Sequence, residues 1–123
     1  MDLTLPESHR ALQASLREFC EEHVKPHARQ WDHEEKFPEG EVKALGELGA
    51  LGILVSEEHG GAGMDSLAVA VAVEEIARYD GSLALTVASH NGLGTSHIRV
   101  FGNDAQRKRY LPKLATGEWL GGW

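Results

Sequence analysis

The sequence has a single cysteine, Cys20, among 123 residues, so an internal disulfide is excluded and packing alone must hold the chain together. It also lacks a long apolar run. The longest nearly apolar stretch, residues 67–73, is far short of the roughly 20 residues that span a bilayer. The opening Met1-Asp2-Leu3-Thr4-Leu5-Pro6-Glu7 has neither the basic region nor the apolar core of a signal peptide. Positive charge is scarce: 12 Lys and Arg against 19 Asp and Glu give a formal net charge of −7. That balance argues against a nucleic-acid partner, whose phosphates require clustered cations. The one basic run, Arg99, Arg107, Lys108, Arg109 and Lys113, reads as a solvated helix face. These absences predict a soluble protein of a reducing cytoplasm, with no membrane and no nucleic-acid partner. The hydrophobic share of 41% and charged share of 25% are ordinary globular values, and the length suits one core, so residues 1–123 are expected to form one domain.

What the sequence does contain is helical periodicity. Leu5, Leu12, Leu16, Phe19 and Val24 fall on one face of a first helix, with Thr4, Pro6 and Glu7 as its start signal. Pro26 predicts a kink or a break. Trp31 is the main buried candidate of the polar segment that follows. A second helix over 39–48 turns Val42, Leu45 and Leu48 inward and stops at Gly49. Residues 53–55 read as extended or turn-like, and the glycine-rich 57–63 as a loop. Asp65 or Ser66 caps a third helix, continuing through residue 78. After the Asp80-Gly81 break, Ser82 caps a fourth, over 83–97, with no Asp, Glu, Lys or Arg, which predicts burial all round. Asn103 and Gln106 form a capping box for a fifth helix, over 104–114, strained by Pro112 and closed by Gly117. The expected fold is all-α: an antiparallel, bundle-like domain of about five helices with a Gly-rich loop.

Candidate chemistry is sparse. His23 and His27 lie four apart, but two imidazoles do not make a zinc site, and no metal is expected. Gly60-Gly61-Ala62-Gly63 lacks the Lys-Ser/Thr that follows in a phosphate-binding loop, so a tight turn is the favoured reading. Ser89 and His90 are adjacent on a helix and point in different directions, which rules them out as nucleophile and base. The fourth helix is the informative element. Its polar Thr86, Ser89, His90 and Asn91 sit among apolar residues, and Gly92 and Gly94 admit close backbone approach. That pattern fits either close helix packing or the wall of a ligand pocket. No catalytic residue is assigned.

At these residues the chain resembles the N-terminal helical domain of the acyl-CoA dehydrogenases, flavoenzymes that oxidise acyl-CoA thioesters at the α,β positions. The matching stretches are Leu48-Gly49-Ala50-Leu51-Gly52-Ile53, then Glu57-Glu58-His59-Gly60-Gly61-Ala62-Gly63-Met64-Asp65, and Glu74-Glu75-Ile76-Ala77. They continue with Ser89-His90-Asn91-Gly92-Leu93-Gly94, Phe101-Gly102-Asn103-Asp104-Ala105-Gln106, and Tyr110-Leu111-Pro112-Lys113-Leu114-Ala115-Thr116-Gly117-Glu118. The resemblance implies a domain packed beside a β-domain and a C-terminal four-helix domain. It implies that Thr86, Ser89, His90 and Leu93 face the acyl chain, with Ser89 compatible with short or branched groups. It places Trp123 at the first position of the segment that binds the flavin. For the full-length enzyme it implies FAD, an acyl-CoA substrate, electron-transfer flavoprotein as partner and a homo-oligomer. Residues 1–123 contain neither the β-domain nor the glutamate base. The expectation is therefore a chain truncated before the flavin-binding β-domain, inactive and without FAD on its own. A free-standing helical interaction module without activity and a sibling acyl-CoA oxidase are the alternatives.

Overall fold

The computed structural model describes residues 1–122, and these are helical, with no strand among them. The α-helical segments are α1 (Glu7–Phe19), α2 (Ala28–His33), α3 (Glu39–Glu47), α4 (Ser66–Ala77), α5 (Gly81–Ser89), α6 (Ser96–Phe101) and α7 (Asp104–Ala115). A π-helical turn, Cys20–Val24, extends α1, and a second, His90–Thr95, joins α5 to α6 in one continuous rod. The all-α expectation is met, and all five expected helices are present.

The details of the ends differ. Thr4 does not cap α1: its N–H donates to Asp2 instead, and Pro6 occupies the cap position without a side-chain bond. The chain breaks around Pro26 as expected, but then forms the short α2, which presses Trp31 into the core. No sequence signal marked this helix. Gly49, at φ 85°, ends the α3 region in a left-handed conformation. Leu48, expected to face inward, is exposed. Asp65 caps α4 by accepting from the Ala68 N–H at 2.9 Å. Asp80, rather than Ser82, caps α5 by accepting from Leu83 at 2.6 Å. A carboxylate accepts such a bond more strongly than a hydroxyl, and it wins. The Asn103–Gln106 capping box on α7 forms in both directions.

α4 is the central element and packs against both α1 and α5. The short turn between α4 and α5 makes that pair antiparallel. α1, by contrast, runs parallel to α4. His9 pairs with Asp65, Arg17 with Glu75 and Tyr79 with Glu21, so the two helices ascend together. The long connection through α2, α3 and the glycine loop allows this return to the same end. The principal core gathers Leu16, Phe19, Val24, Trp31, Leu45, Leu51, Ile76 and Val87, all buried. A smaller cluster of Val55, Leu111 and Ala115 with Ile98 seats α7.

The polar anchor of this packing is Glu75, fully buried on α4. Arg17 grips it bidentately, Nε to Oε1 at 2.8 Å and Nη2 to Oε2 at 3.0 Å. That hydrogen bond, ahead of the opposing cost of burial, holds the Glu75 carboxyl below the usual carboxylate range. Arg17→Met would strand a buried carboxylate. The urea midpoint should fall clearly below that of the native protein. The double variant Arg17→Met/Glu75→Met should recover most of that drop. An additive double variant would show that the pair is not coupled.

Candidate functional site

The fourth helix of the sequence reading is the α5–α6 rod, and it is not buried all round. Leu85 is 66% exposed, Leu93 45% and Phe101 82%. The correction has a simple cause. α4 and the 50–55 segment cover one side of the rod, while the other is left largely open, flanked only by Phe37 and residues 120–122. An apolar helix with one bare face is half of an interface or one wall of a pocket.

A groove of about 460 Å³ runs along this face, lined by Phe37, Ser82, Leu85, Thr86, Ser89, Leu93, Leu120, Gly121 and Gly122. Ser82, Leu85, Thr86, Ser89 and Leu93 follow helical spacing along one side of α5 and the π-turn. The opposite wall comes from Phe37, before α3, and from the segment leaving α7. None of the nine lining residues is ionisable. The groove can therefore hold an uncharged, largely apolar body, but it offers no acid, base or nucleophile pair for proton transfer. The Thr86 hydroxyl is occupied, donating to the Ser82 carbonyl at 3.1 Å. The Ser82 and Ser89 side-chain hydroxyls also line the groove, and neither is engaged as the Thr86 hydroxyl is.

The structure brings Thr86, Ser89 and Leu93 together in this groove but turns His90 away from it. His90 is fully buried. Its Nε2 lies 2.9 Å from the Leu114 carbonyl and its Nδ1 accepts from the Gly121 N–H at 3.0 Å. A carbonyl only accepts and an amide N–H only donates, so the ring is neutral with its proton on Nε2. Asn91 is likewise buried, donating to the Ala50 and Val87 carbonyls. The polar residues of this helix thus divide. His90 and Asn91 serve packing, while Thr86 and Ser89 line the groove. Leu85 and Ser82 were recoverable from helical spacing to Ser89. Phe37, Leu120, Gly121 and Gly122 carried no sequence signal. The Trp123 flavin position lies outside the described residues.

Other candidate features resolve differently. In the glycine loop, Gly60 and Gly63 adopt positive φ. The N–H groups of residues 60–64 are spent on the carbonyls of Glu57, Ser56, Gly52, Val55 and Ile53. None is left to cradle a phosphate. His23 lies against Phe19 and His27 against Trp31, and no group of three or more metal-ligating side chains converges among the described residues. Arg107 donates to the Arg99 and Val100 carbonyls at the end of α6, and Lys113 pairs with Glu118. A larger hollow of about 730 Å³ between α3 and the end of α7 carries Glu39, Lys43, Glu47 and Glu118 but none of the candidate residues. Among the described residues no helix is long and apolar enough to cross a membrane.

Residues 6–118 match the family model described as acyl-CoA dehydrogenase, N-terminal domain. The short-chain-specific acyl-CoA dehydrogenase of Clostridium acetobutylicum is 38% identical, covering all of this chain and 32% of its own. The glutaryl-CoA dehydrogenase of Desulfococcus multivorans is 43% identical, again over all of this chain and 32% of its own. Among solved structures, one reported for the electron transferring flavoprotein of Acidaminococcus fermentans, in work on flavin-based electron bifurcation, superposes with a TM-score of 0.94. It is 30% identical and covers 98% of this chain and 32% of that one. The chain thus spans about a third of the length of the curated relatives it matches.

Burial pushes the His90 imidazole below its ordinary value of 6.5, against smaller opposing contributions from its carbonyl contacts. The folded state therefore resists a proton that the unfolded state accepts. His90's contribution to stability is complete above about pH 6.5 and is lost as pH falls from there through the lowered folded value. Urea midpoints measured between pH 7 and 5 should fall in the native protein and fall less steeply in His90→Gln. Parallel slopes would show that His90 does not carry this dependence.

Proposed function

Because the chain belongs to the acyl-CoA dehydrogenase N-terminal domain family, we propose that residues 1–123, acting as one domain, supply one wall of the acyl pocket of a flavin-dependent acyl-CoA dehydrogenase. The observation that carries this reading is the uncharged groove on the bare face of α5 and its π-turn, lined by Thr86, Ser89, Leu85 and Leu93. An acyl chain gains about 0.8 kcal/mol for each methylene it withdraws from water, and the leucines offer that burial. The Ser89 hydroxyl suits the polar end or a branch of a short chain. The reaction proposed for the complete enzyme is α,β-dehydrogenation of an acyl-CoA thioester.

The catalytic base and the hydride acceptor belong elsewhere in this proposal. FAD is the acceptor the family likeness implies, and bound flavin supplies the hydride-accepting ring. The glycine-loop N–H groups are occupied and the acyl groove carries no cation, so neither of these two places is assigned to its phosphates. No chemical step is assigned to this domain. Its work is to orient the acyl chain and exclude water. An electron-transfer flavoprotein as oxidant of the reduced flavin, a homo-oligomeric enzyme, and the reducing cytoplasm as compartment complete the reading. The last is supported by the single, buried, unpaired Cys20.

Titration of the isotope-labelled chain with butyryl-CoA should shift the backbone amides of Thr86, Ser89, Leu93 and Gly121, while coenzyme A alone should not. With one wall of the pocket present, the affinity should be weak, on the order of millimolar. Ser89→Phe should abolish the shifts and leave the circular dichroism spectrum unchanged. Shifts that are scattered, or equal for coenzyme A alone, would count against an acyl groove here.

A further inference from the structure

The groove has two walls, and only one is a helix. The other is Phe37 and an irregular segment, Leu120, Gly121 and Gly122, beyond the end of α7. Such a segment has no helical hydrogen bonds to hold it in place. Two features fix it. The first is contact between backbones. Gly94, in the π-turn, meets Gly121 so closely that a Cβ on Gly94 would lie 2.6 Å from the Gly121 Cα. Only glycine fits this crossing. The second is the Gly121 N–H, which donates to His90 Nδ1 at 3.0 Å while the other side of the same ring holds the Leu114 carbonyl at 2.9 Å. One buried imidazole thus joins the rod, the last turn of α7 and the segment that lines the groove. The π-turn begins at His90. A π-turn re-aims the side chains that follow it, and such turns are frequent at functional sites.

We propose that His90 is a positioning residue of the acyl groove: through the Gly121 amide it sets the distance between the backbone wall and the helical wall of Thr86, Ser89 and Leu93, and so the width available to the acyl chain. This rests on the acyl-groove reading and names the residue that gives the groove its shape. His90 does not touch the ligand. The resemblance puts it among the chain-facing residues, whereas the geometry gives it an indirect role. The neutral ring is necessary for that role, because a protonated Nδ1 cannot accept from Gly121.

Two conservative variants separate the two bonds. Asn places its side-chain oxygen near the position of Nδ1, so His90→Asn keeps an acceptor for Gly121 and gives up the donor to Leu114. Gln places its amide near Nε2, so His90→Gln keeps that donor and gives up the acceptor. Amide hydrogen exchange read by NMR should show Gly121 accelerated about tenfold in His90→Gln and nearly unchanged in His90→Asn. The butyryl-CoA shifts at Thr86 and Ser89 should follow the same order, kept in His90→Asn and lost in His90→Gln. Equal acceleration of Gly121 in both variants would overturn the proposal, since a merely structural histidine is damaged by either change. Should either variant fail to fold, Gly94→Ala displaces Gly121 while His90 stays in place. It must then release the Gly121 amide and abolish the butyryl-CoA shifts, and an unchanged response would overturn the proposal equally. If the native chain shows no butyryl-CoA shifts at all, the acyl reading fails, while the Gly121 exchange still decides whether His90 holds the wall.

Discussion

A carboxylate withdrawn completely from water sets the frame of this domain. Glu75 stays ionised inside α4 chiefly because Arg17 reaches across from α1 and satisfies both of its oxygens, with Arg78 adding a second, more distant positive charge. That requirement fixes the rotation of both helices and their relative height. The other two contacts along the seam, His9 with Asp65 and Tyr79 with Glu21, agree with the same register. An apolar seam alone would permit sliding by a turn, whereas a buried bidentate pair does not. With α1 and α4 locked, α4 presents its remaining face to α5, and the position of the rod follows.

The rod is then covered on one side only. Its inner face gives Leu83, Ala84, Val87, His90, Asn91 and Thr95 to the interior. Its outer face keeps Leu85, Leu93, Val100 and Phe101 in water, at an unfavourable cost that a partner surface would remove. The π-turn sits where the two roles meet. Within it, the Asn91 carbonyl accepts from the Ser96 hydroxyl at 2.7 Å. The turn also brings Gly94 against Gly121, so that a packed helix acquires a second wall.

Much of this was legible in the residues themselves. The apolar stripe Leu12, Leu16, Phe19 and Val24, the Asn103–Gln106 box and the Gly49 stop are local patterns, and local patterns report local structure. The glycine loop was readable for the same reason. What escaped depends on distant neighbours. Nothing around Glu75 in sequence announces Arg17, 58 residues away. The uncharged run of α5 and α6 reads as core because burial is the usual fate of such a helix, and whether a neighbour covers it is a tertiary fact. α2 is one and a half turns long and polar apart from Ala28 and Trp31, too short for periodicity to show. The groove was half visible. Thr86, Ser89 and Leu93 share a helical face, but Phe37 and Gly121 reach it through folds of the chain that no spacing encodes.

The absence of ionisable groups in the groove constrains what this domain contributes. A quarter of the residues are charged, yet none of those lining the groove is. A charge there would be stranded when the apolar partner or ligand closes over it, and would favour water over an acyl chain. In α,β-dehydrogenation the proton and the hydride leave from carbons that must be held in line with a base and an acceptor, and small misplacements are costly. Under the proposed function, a wall that binds only through shape and apolar contact would supply that alignment without competing for the proton. The burial of His90 follows the same logic. Facing the groove, it would be a second base beside the proposed substrate; turned inward, it is bonded to the Leu114 carbonyl and the Gly121 N–H instead.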